Sequence, residues 1–497
     1  MQSELKLYAG GLLLALLVSS ALVLVVLHRL SSVLQSRRQQ SLRDHRIESV
    51  PRFGGVGIAG GFVTVLLLLA LVPLKEKGID LRTLLGENLG VILAGGVAAC
   101  LLGLWDDLLV IRARYKFAGQ VGIALLTVVY GPVLESVNLP FFGTPQISLG
   151  VLAVPLTMLW IIGLMNAINL IDGMDGLAGG IAMTAVGCLA LLAGVWGRPE
   201  WALVCLVLFG AILGFWVFNR PTAVIFMGDS GSMLLGYLLA VLALEVARDP
   251  HTGVVQLAPV VILAIPILDT VFALFRRYLK GIPFYSADRD HLHHRLLQRG
   301  LRPWQALMVL LGLGGLFGGF GMGMLWRSEW QGYFVLAALG LAYATLYLLG
   351  YEVVLNPVKH LRDQPDLRRR RRLMVHLADD IDLFLSKDRT RQDLLQSYVF
   401  WLSLSGIDRF ALLHQGRLLH PRSEEQHATK SFRELVFCEG VYEVRIVLDE
   451  HMVRLDSDVK GELLDRVTHE LLRQLSQREE PAERPSLQVV EPSRSIG

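Results

Sequence analysis

Long apolar runs alternate with short polar stretches over the first 350 residues of the chain. A membrane-spanning helix needs about 20 consecutive apolar residues, and about eleven runs meet that length. Their cores lie near 8–28, 54–73, 89–105, 119–136, 148–165, 177–196, 201–218, 231–247, 257–275, 304–325 and 331–352. The pattern predicts an all-α polytopic membrane protein of about 11 transmembrane helices. Run one is too long for the apolar part of a secretory signal, and Arg29, Arg37, Arg38, Arg43 and Arg46 follow it. It is expected to stay in the membrane with the N-terminus outside.

Near residue 355 the pattern changes. The basic "RDQPDLRRRRRL" leads into a charged helical stretch to about residue 396, then strand-like runs "SYVFWLSL", "FALLHQGRLLHP" and "VYEVRIVLDE". Gln415 and Gly416 suit the turn of a hairpin in the second of these. An amphipathic helix is expected near 461–477, and the tail from Pro481 has the composition of a disordered segment. The domain reading is therefore 1–354 in the membrane, 355–480 a C-terminal α+β domain of regulatory or docking type, and 481–497 a disordered tail.

Composition agrees: of 497 residues 53% are hydrophobic and 18% charged, and the mean hydropathy is +0.49. An ordinary soluble enzyme of this length is thereby excluded. Cys100, Cys188, Cys205 and Cys438 are scattered, so neither a disulfide framework nor a cysteine metal site is expected. The net charge of +3 gives no sign of a nucleic-acid partner. Placement matters more than the sum. Arg and Lys crowd the loops after runs one, three and nine, whereas "NLPFFGTPQIS" carries none, so the basic loops are expected in the cytoplasm. Eleven crossings then put the C-terminal domain there too.

Four polar clusters fall on that same face: "LWDDLLVIRARYKF", "NAINLIDGMDGLAGG", "NRPTAVIFMGDSGS" and "SADRDHLHHRL". One shared site is the simplest reading. Asp106 and Asp107 at a low-dielectric boundary need an offsetting cation, either Lys116 or a metal ion; alone, such a pair reads equally as solvated charge at a helix end. Asn166, Asn169, Asp172 and Asp175 recur every three residues and would share a face if helical, a costly face unless turned toward water, protein or an ion. Asp175 also suits a helix cap. Asp229, between glycines, either caps the next helix or joins an Asn or Asp in holding a hard cation such as Mg²⁺ beside phosphate oxygens. His291, His293, His294 and Arg295 lack the spacing of a closed zinc site and suit donation toward a diphosphate. Asp269 in "PILDT" is an intramembrane carboxylate, a site candidate or a helix-packing hydrogen bond.

Taken in order, "PRFGG", the "DD" with "KF" nine residues after Asp107, "NAINLIDGMDGLAGG", "GDSGS" and "HLHHR" resemble the polyprenyl-phosphate N-acetylhexosamine-1-phosphate transferases, which start lipid-linked cell-envelope glycans. The resemblance spans about residues 50–295. It implies transfer of a sugar-1-phosphate from a UDP-N-acetylhexosamine to undecaprenyl phosphate in the bacterial inner membrane, with release of UMP and a need for Mg²⁺, Mn²⁺ being a substitute. It implies Asn169 and Asp229 as metal contacts, Asp106, Asp107, Lys116 and Asp172 as catalytic groups, and Asn166, Asp175, His291, His293, His294 and Arg295 as substrate contacts. The form of the histidine motif favours GlcNAc-1-phosphate over a muramyl pentapeptide donor. A homodimer is carried as the oligomeric expectation. The rival readings are a secondary transporter, which needs midplane charges and a repeat, and a phosphotransferase acting on another nucleotide-activated substrate.

Overall fold

The computed structural model describes residues 2–40, 50–72, 81–109, 111–138, 147–248, 256–280, 291–326 and 330–350, and in the C-terminal region four strands with scattered helical residues. The chain divides into two compact units, Met1–Pro357 and Val358–Gly497.

The first unit is helical: α1 (Gln2–Gln40), α2 (Gly54–Leu71), α3 (Leu81–Leu84), α4 (Gly90–Leu109), α5 (Ala113–Tyr130), α6 (Ala153–Ile171), α7 (Leu177–Val195), α8 (Pro199–Asn219), α9 (Gly228–Val246), α10 (Ala258–Ile262), α11 (Ala264–Lys280), α12 (Leu292–Gln298), α13 (Pro303–Trp326) and α14 (Gln331–Leu348). A short ribbon, β1 (Ser136–Val137) with β2 (Ile147–Ser148), lies between α5 and α6. Among the described residues nine helices are long and apolar enough to cross a membrane, and the protein is a multi-pass membrane protein. Runs four and nine are helical but outside the nine. Arg114 and Lys116 charge the start of α5, and the ninth run is broken at Leu263 between α10 and α11. Pro266 has no N–H to bond back to Ile262, which fits an interruption there.

Helix α9 is the axis of the bundle. Every residue from Ser230 to Val246 is buried, against α4, α6, α2 and α7. The outer helices instead expose Leu13, Leu17, Leu191, Val195, Leu339 and Tyr343. Lipid is as apolar as these side chains, so burial against it gives no drive for helix association; close packing and buried hydrogen bonds must hold the bundle. Both are present. Trp160 Nε1 donates to the Ala240 carbonyl at 2.9 Å, and Thr127 and Tyr237 hydroxyls meet at 2.9 Å. A Cβ at Gly103 would overlap the Asp229 backbone, so the absent side chain lets α4 lie directly on the first turn of α9.

In the second unit β3 (Phe410–His414), β4 (Arg417–His420), β5 (Phe432–Glu439) and β6 (Tyr442–Asp449) form one antiparallel sheet in the order β4-β3-β6-β5. His414 pairs with Arg417, as the expected hairpin requires. β5 was not anticipated, and Tyr398, inside the expected strand "SYVFWLSL", is helical. Thr468, Leu471 and Leu472 of the expected amphipathic helix are helical and buried. The charged stretch from 355 and the tail from 481 lie outside the described residues, apart from Gln396.

Gly103→Ala is expected to lower stability by about 1–3 kcal/mol through overpacking, whereas Gly122→Ala, whose Cβ meets nothing, should stay within about 0.5 kcal/mol of wild type. Thermal unfolding of both variants in detergent checks the contrast; equal midpoints would contradict the close contact.

Candidate active site

The site forms where α4 and α6 end and α2, α5 and α9 begin. Lys116, in the first turn of α5, lies between two carboxylates: its Nζ is 2.9 Å from Asp106 Oδ2 and pairs also with Asp229 Oδ2. Asp106 Oδ1 accepts the Ile111 N–H at 2.8 Å, which fixes the turn from α4 to α5. Asn169, on the last turn of α6, donates from Nδ2 to Asp229 Oδ1 at 2.8 Å and to Ser232 Oγ at 2.9 Å. Residues far apart in the chain thus meet around one carboxylate.

Asp107 behaves differently from its neighbour. Its oxygens accept the backbone N–H of Asp229 at 2.9 Å and of Ser230 at 3.0 Å. It therefore caps α9 from a different helix, satisfying amides that have no partner within their own helix and placing a negative charge at the positive end of the helix dipole. Gly228 makes this possible. Its φ is +73°, and a Cβ there would collide with the Arg52 carbonyl and fall 2.7 Å from Asp107 Oδ2.

Helix α6 ends at Ile171, with Asp172 as its C-cap. The expected helical face therefore holds only for Asn166 and Asn169. Asn166 is turned to Gln120, bonding it at 2.9 Å, and is not in the cavity wall. Asp175 lies in the turn beyond the helix and accepts the Ala223 N–H at 3.0 Å. Asn219 ties the same two loops, accepting from Gly176 at 3.0 Å and donating to the Ile225 carbonyl at 2.8 Å. Between these loops opens a cavity of about 330 Å³, walled by Arg52, Asp107, Asn169, Asp172, Asp175 and Asp229 among others. Burial, then the charges of Asp229, Asp107 and Asp175, push the Asp172 carboxyl well above its ordinary range, against the opposing pull of Arg52.

The histidine cluster packs behind one wall of this cavity, and none of His291, His293 and His294 lines it. A Cβ on Gly173 would fall 2.8 Å from His293 Nε2, so that ring packs on the turn after Asp172. His293 is 1% exposed. Among the described residues neither of its ring nitrogens has a partner. Burial first, then the charges of His294 and His291, lower its pKa to about 4 against the pull of Asp269. It is neutral near pH 7, so it offers an N–H rather than a positive charge. His291 bonds Asp269 at 2.9 Å and stacks on His293. His293 and His294 lie with centroids 4.1 Å apart. Arg295 does not line the cavity; its guanidinium donates to the Gly350 carbonyl at 2.8 Å.

Sequence reasoning missed Arg52 and Asn219 as members of the site, although "PRFGG" and "NRPT" lay within the noted stretches. Gln120, on the apolar part of α5, gave no such signal.

The residues fit a divalent cation. Five carboxylates (Asp106, Asp107, Asp172, Asp175, Asp229) face two cations, Lys116 and Arg52. An amide flip would exchange the Asn169 oxygen and nitrogen and set that oxygen beside the Asp229 carboxylate, where the two could hold a cation. No three His, Cys, Asp or Glu among the described residues make a closed cage.

Residues 89–247 match the model of glycosyl transferase family 4. The chain is 34% identical over 309 residues to a probable undecaprenyl-phosphate N-acetylglucosaminyl 1-phosphate transferase of Bacillus subtilis, covering 62% of this chain and 83% of that protein. It is 34% identical over 289 residues to a decaprenyl-phosphate N-acetylglucosaminephosphotransferase of Mycolicibacterium smegmatis, with 54% and 70% covered. An undecaprenyl-phosphate alpha-N-acetylglucosaminyl 1-phosphate transferase of Escherichia coli is 28% identical over 213 residues, 42% of this chain and 58% of that protein. The chain belongs to this family of polyprenyl-phosphate sugar-1-phosphate transferases. It is a membrane enzyme of the transferase class.

A histidine with its pKa depressed from 6.5 to about 4 binds its proton in the unfolded chain first, so its stabilising contribution is full above pH 6.5 and lost as pH falls toward 4. The thermal midpoint of wild type relative to His293→Gln should therefore drop between pH 7 and pH 5. A difference that does not change with pH would contradict the burial of a neutral imidazole.

Proposed function

We propose that the protein transfers GlcNAc-1-phosphate from UDP-GlcNAc to undecaprenyl phosphate, releasing UMP, at the cytoplasmic face of the bacterial inner membrane. The observation that carries the reading is the contact of Asn169 with Asp229 at the mouth of a carboxylate-rich cavity, with Lys116 bound to the same Asp229. The cytoplasmic assignment rests on the arginine-rich loops, which lie on the side of the polar clusters; that orientation corresponds to eleven crossings, with α5 and the broken α10–α11 pair included. The names of the relatives, which act on polyprenyl phosphates with N-acetylglucosamine phosphate, support the substrate pair.

Asn169 and Asp229 would hold Mg²⁺ by oxygen atoms. Bound there, the ion supplies charge neutralisation and polarisation of the donor diphosphate. Lys116, paired with Asp229, would take up negative charge that develops as the bond between the phosphates breaks. An oxygen of the lipid phosphate attacks the β-phosphorus, the bond to the bridging oxygen breaks, and that oxygen leaves on UMP. A phosphomonoester has a second pKa of about 6 and is mostly dianionic at neutral pH, so no strong base is required. Asp107, with its carboxylate given to two α9 amides, orients Asp229 rather than acting as base or nucleophile. Asp106 holds Lys116 in register. The turn 172–176 and neutral His293 border the donor end, where N–H donors suit hydroxyl and phosphate oxygens.

Purified protein in nanodiscs, supplied with undecaprenyl phosphate and a panel of UDP-sugars, should release UMP with UDP-GlcNAc and Mg²⁺. Asp229→Asn should reduce that release by at least about a hundredfold, the scale of one lost electrostatic contact to the transition state. Full turnover by the variant, or by wild type in EDTA, would refute the assignment.

A further inference from the structure

Asp269 has no role in the chemistry just described, and it lies well inside the membrane unit. It sits on α11, 1% exposed, and its carboxylate is fully committed: Oδ2 meets His291 Nδ1 at 2.9 Å and Oδ1 accepts the Leu292 N–H at 2.9 Å. Both partners belong to the start of α12, which has no side-chain cap of its own. A buried carboxylate is costly unless hydrogen-bonded, and here its two bonds tie one membrane helix to the histidine segment. The chain of contacts then continues. The His291 ring stacks on His293 at 5.9 Å between centroids, within 5° of parallel, and His293 packs on Gly173 at the cavity edge.

We propose that Asp269 is a positioning residue for the transfer reaction: by accepting from His291 Nδ1–H and capping α12 it fixes the tautomer of His291 and seats His293 against the Gly173 turn. A carboxylate accepts only, so Nδ1 must carry the proton. The hydrogen bond at one ring nitrogen decides the state of the other, and the lone pair is therefore left at Nε2 in the neutral ring. Helix packing alone would need the hydrogen bond to Leu292 but not the one to the ring. The proposal rests on the transferase reading for its kinetic consequence and on geometry alone for its tautomer.

The test uses the full chain in nanodiscs. In histidine-¹⁵N-labelled wild type, with the His291 signal assigned by its loss in His291→Gln, long-range ¹H–¹⁵N spectra should show a protonated Nδ1. In Asp269→Asn the amide cannot accept from both partners: with its oxygen on the Leu292 N–H its NH₂ faces Nδ1, and the Nδ1 proton signature should be lost. UMP release should fall about ten- to a hundredfold in kcat/KM in either single variant, the usual effect of removing the partner that orients a functional histidine. The double variant should lose no more than the worse single one, because both act through one contact. An unprotonated Nδ1 in wild type, an unchanged Nδ1 in Asp269→Asn, or additive kinetic losses would each overturn the proposal. If Asp269→Asn does not fold, the wild-type ring signal still decides. Should wild type prove inactive with every UDP-sugar, the transferase reading fails while the spectra judge the positioning role separately.

Discussion

The arrangement depends on one electrostatic constraint: carboxylates gathered at the edge of a low-dielectric bundle must be met by positive charge or by hydrogen bonds. Lys116 bridges Asp106 and Asp229 across α4, α5 and α9. Asp107 is met by the α9 amides and Asp175 by a loop amide. Among the described residues Asp172 accepts no hydrogen bond and has only the pull of Arg52, and burial with the neighbouring carboxylates drives its carboxyl toward the protonated form. Two unit charges about 4 Å apart interact by about 4 kcal/mol even at an effective dielectric of 20. Such contacts therefore hold the ends of α4, α5 and α9 together at the site.

Packing makes that cluster possible. Helices in lipid gain nothing from simple apolar contact, and here close backbone approaches help to bring the reactive ends together. Gly103 sets α4 on the Asp229 backbone, and Gly55 lies on Gly231, pressing α2 to the same turn. Asp107 can cap α9 because α4 comes this close. The site thus lies where α2 and α4 meet the first turn of α9, the buried axis of the bundle. On the side of the histidines, Asp269 extends the same logic one helix outward.

Much of this was legible in the sequence because charge is conspicuous in an apolar chain. Asp106, Asp107, Asn169, Asp172 and Asp229 stood out since such residues are costly next to lipid, and their common face followed from the arginines. What could not be read was partnership. The Asp107 contacts to Asp229 and Ser230 are between a side chain and backbone amides far along the chain, and no residue pattern encodes them. The three-residue recurrence from Asn166 to Asp175 suggested one helical face, but the helix stops at Ile171 because the loop bonds of Asp175 and Asn219 give the turn a structure of its own. Arg295 is a phosphate candidate by its type, and no pattern in the sequence shows that its guanidinium donates to the Gly350 carbonyl. In the C-terminal unit, the hairpin was legible from its turn, while β5, "FRELVFCE", was not singled out and Tyr398 proved helical. Short apolar runs are ambiguous between strand and buried helix.

Binding of a divalent ion tests the central claim most directly. Mn²⁺ titrated into nanodisc-embedded protein with UDP-GlcNAc present, followed by electron paramagnetic resonance, should show one saturable site in wild type. That site should weaken sharply in Asn169→Leu and again when Asp229→Asn is combined with it, while Gly122→Ala binds as wild type. Mn²⁺ binding that is unchanged by both substitutions would place the ion elsewhere and contradict the account.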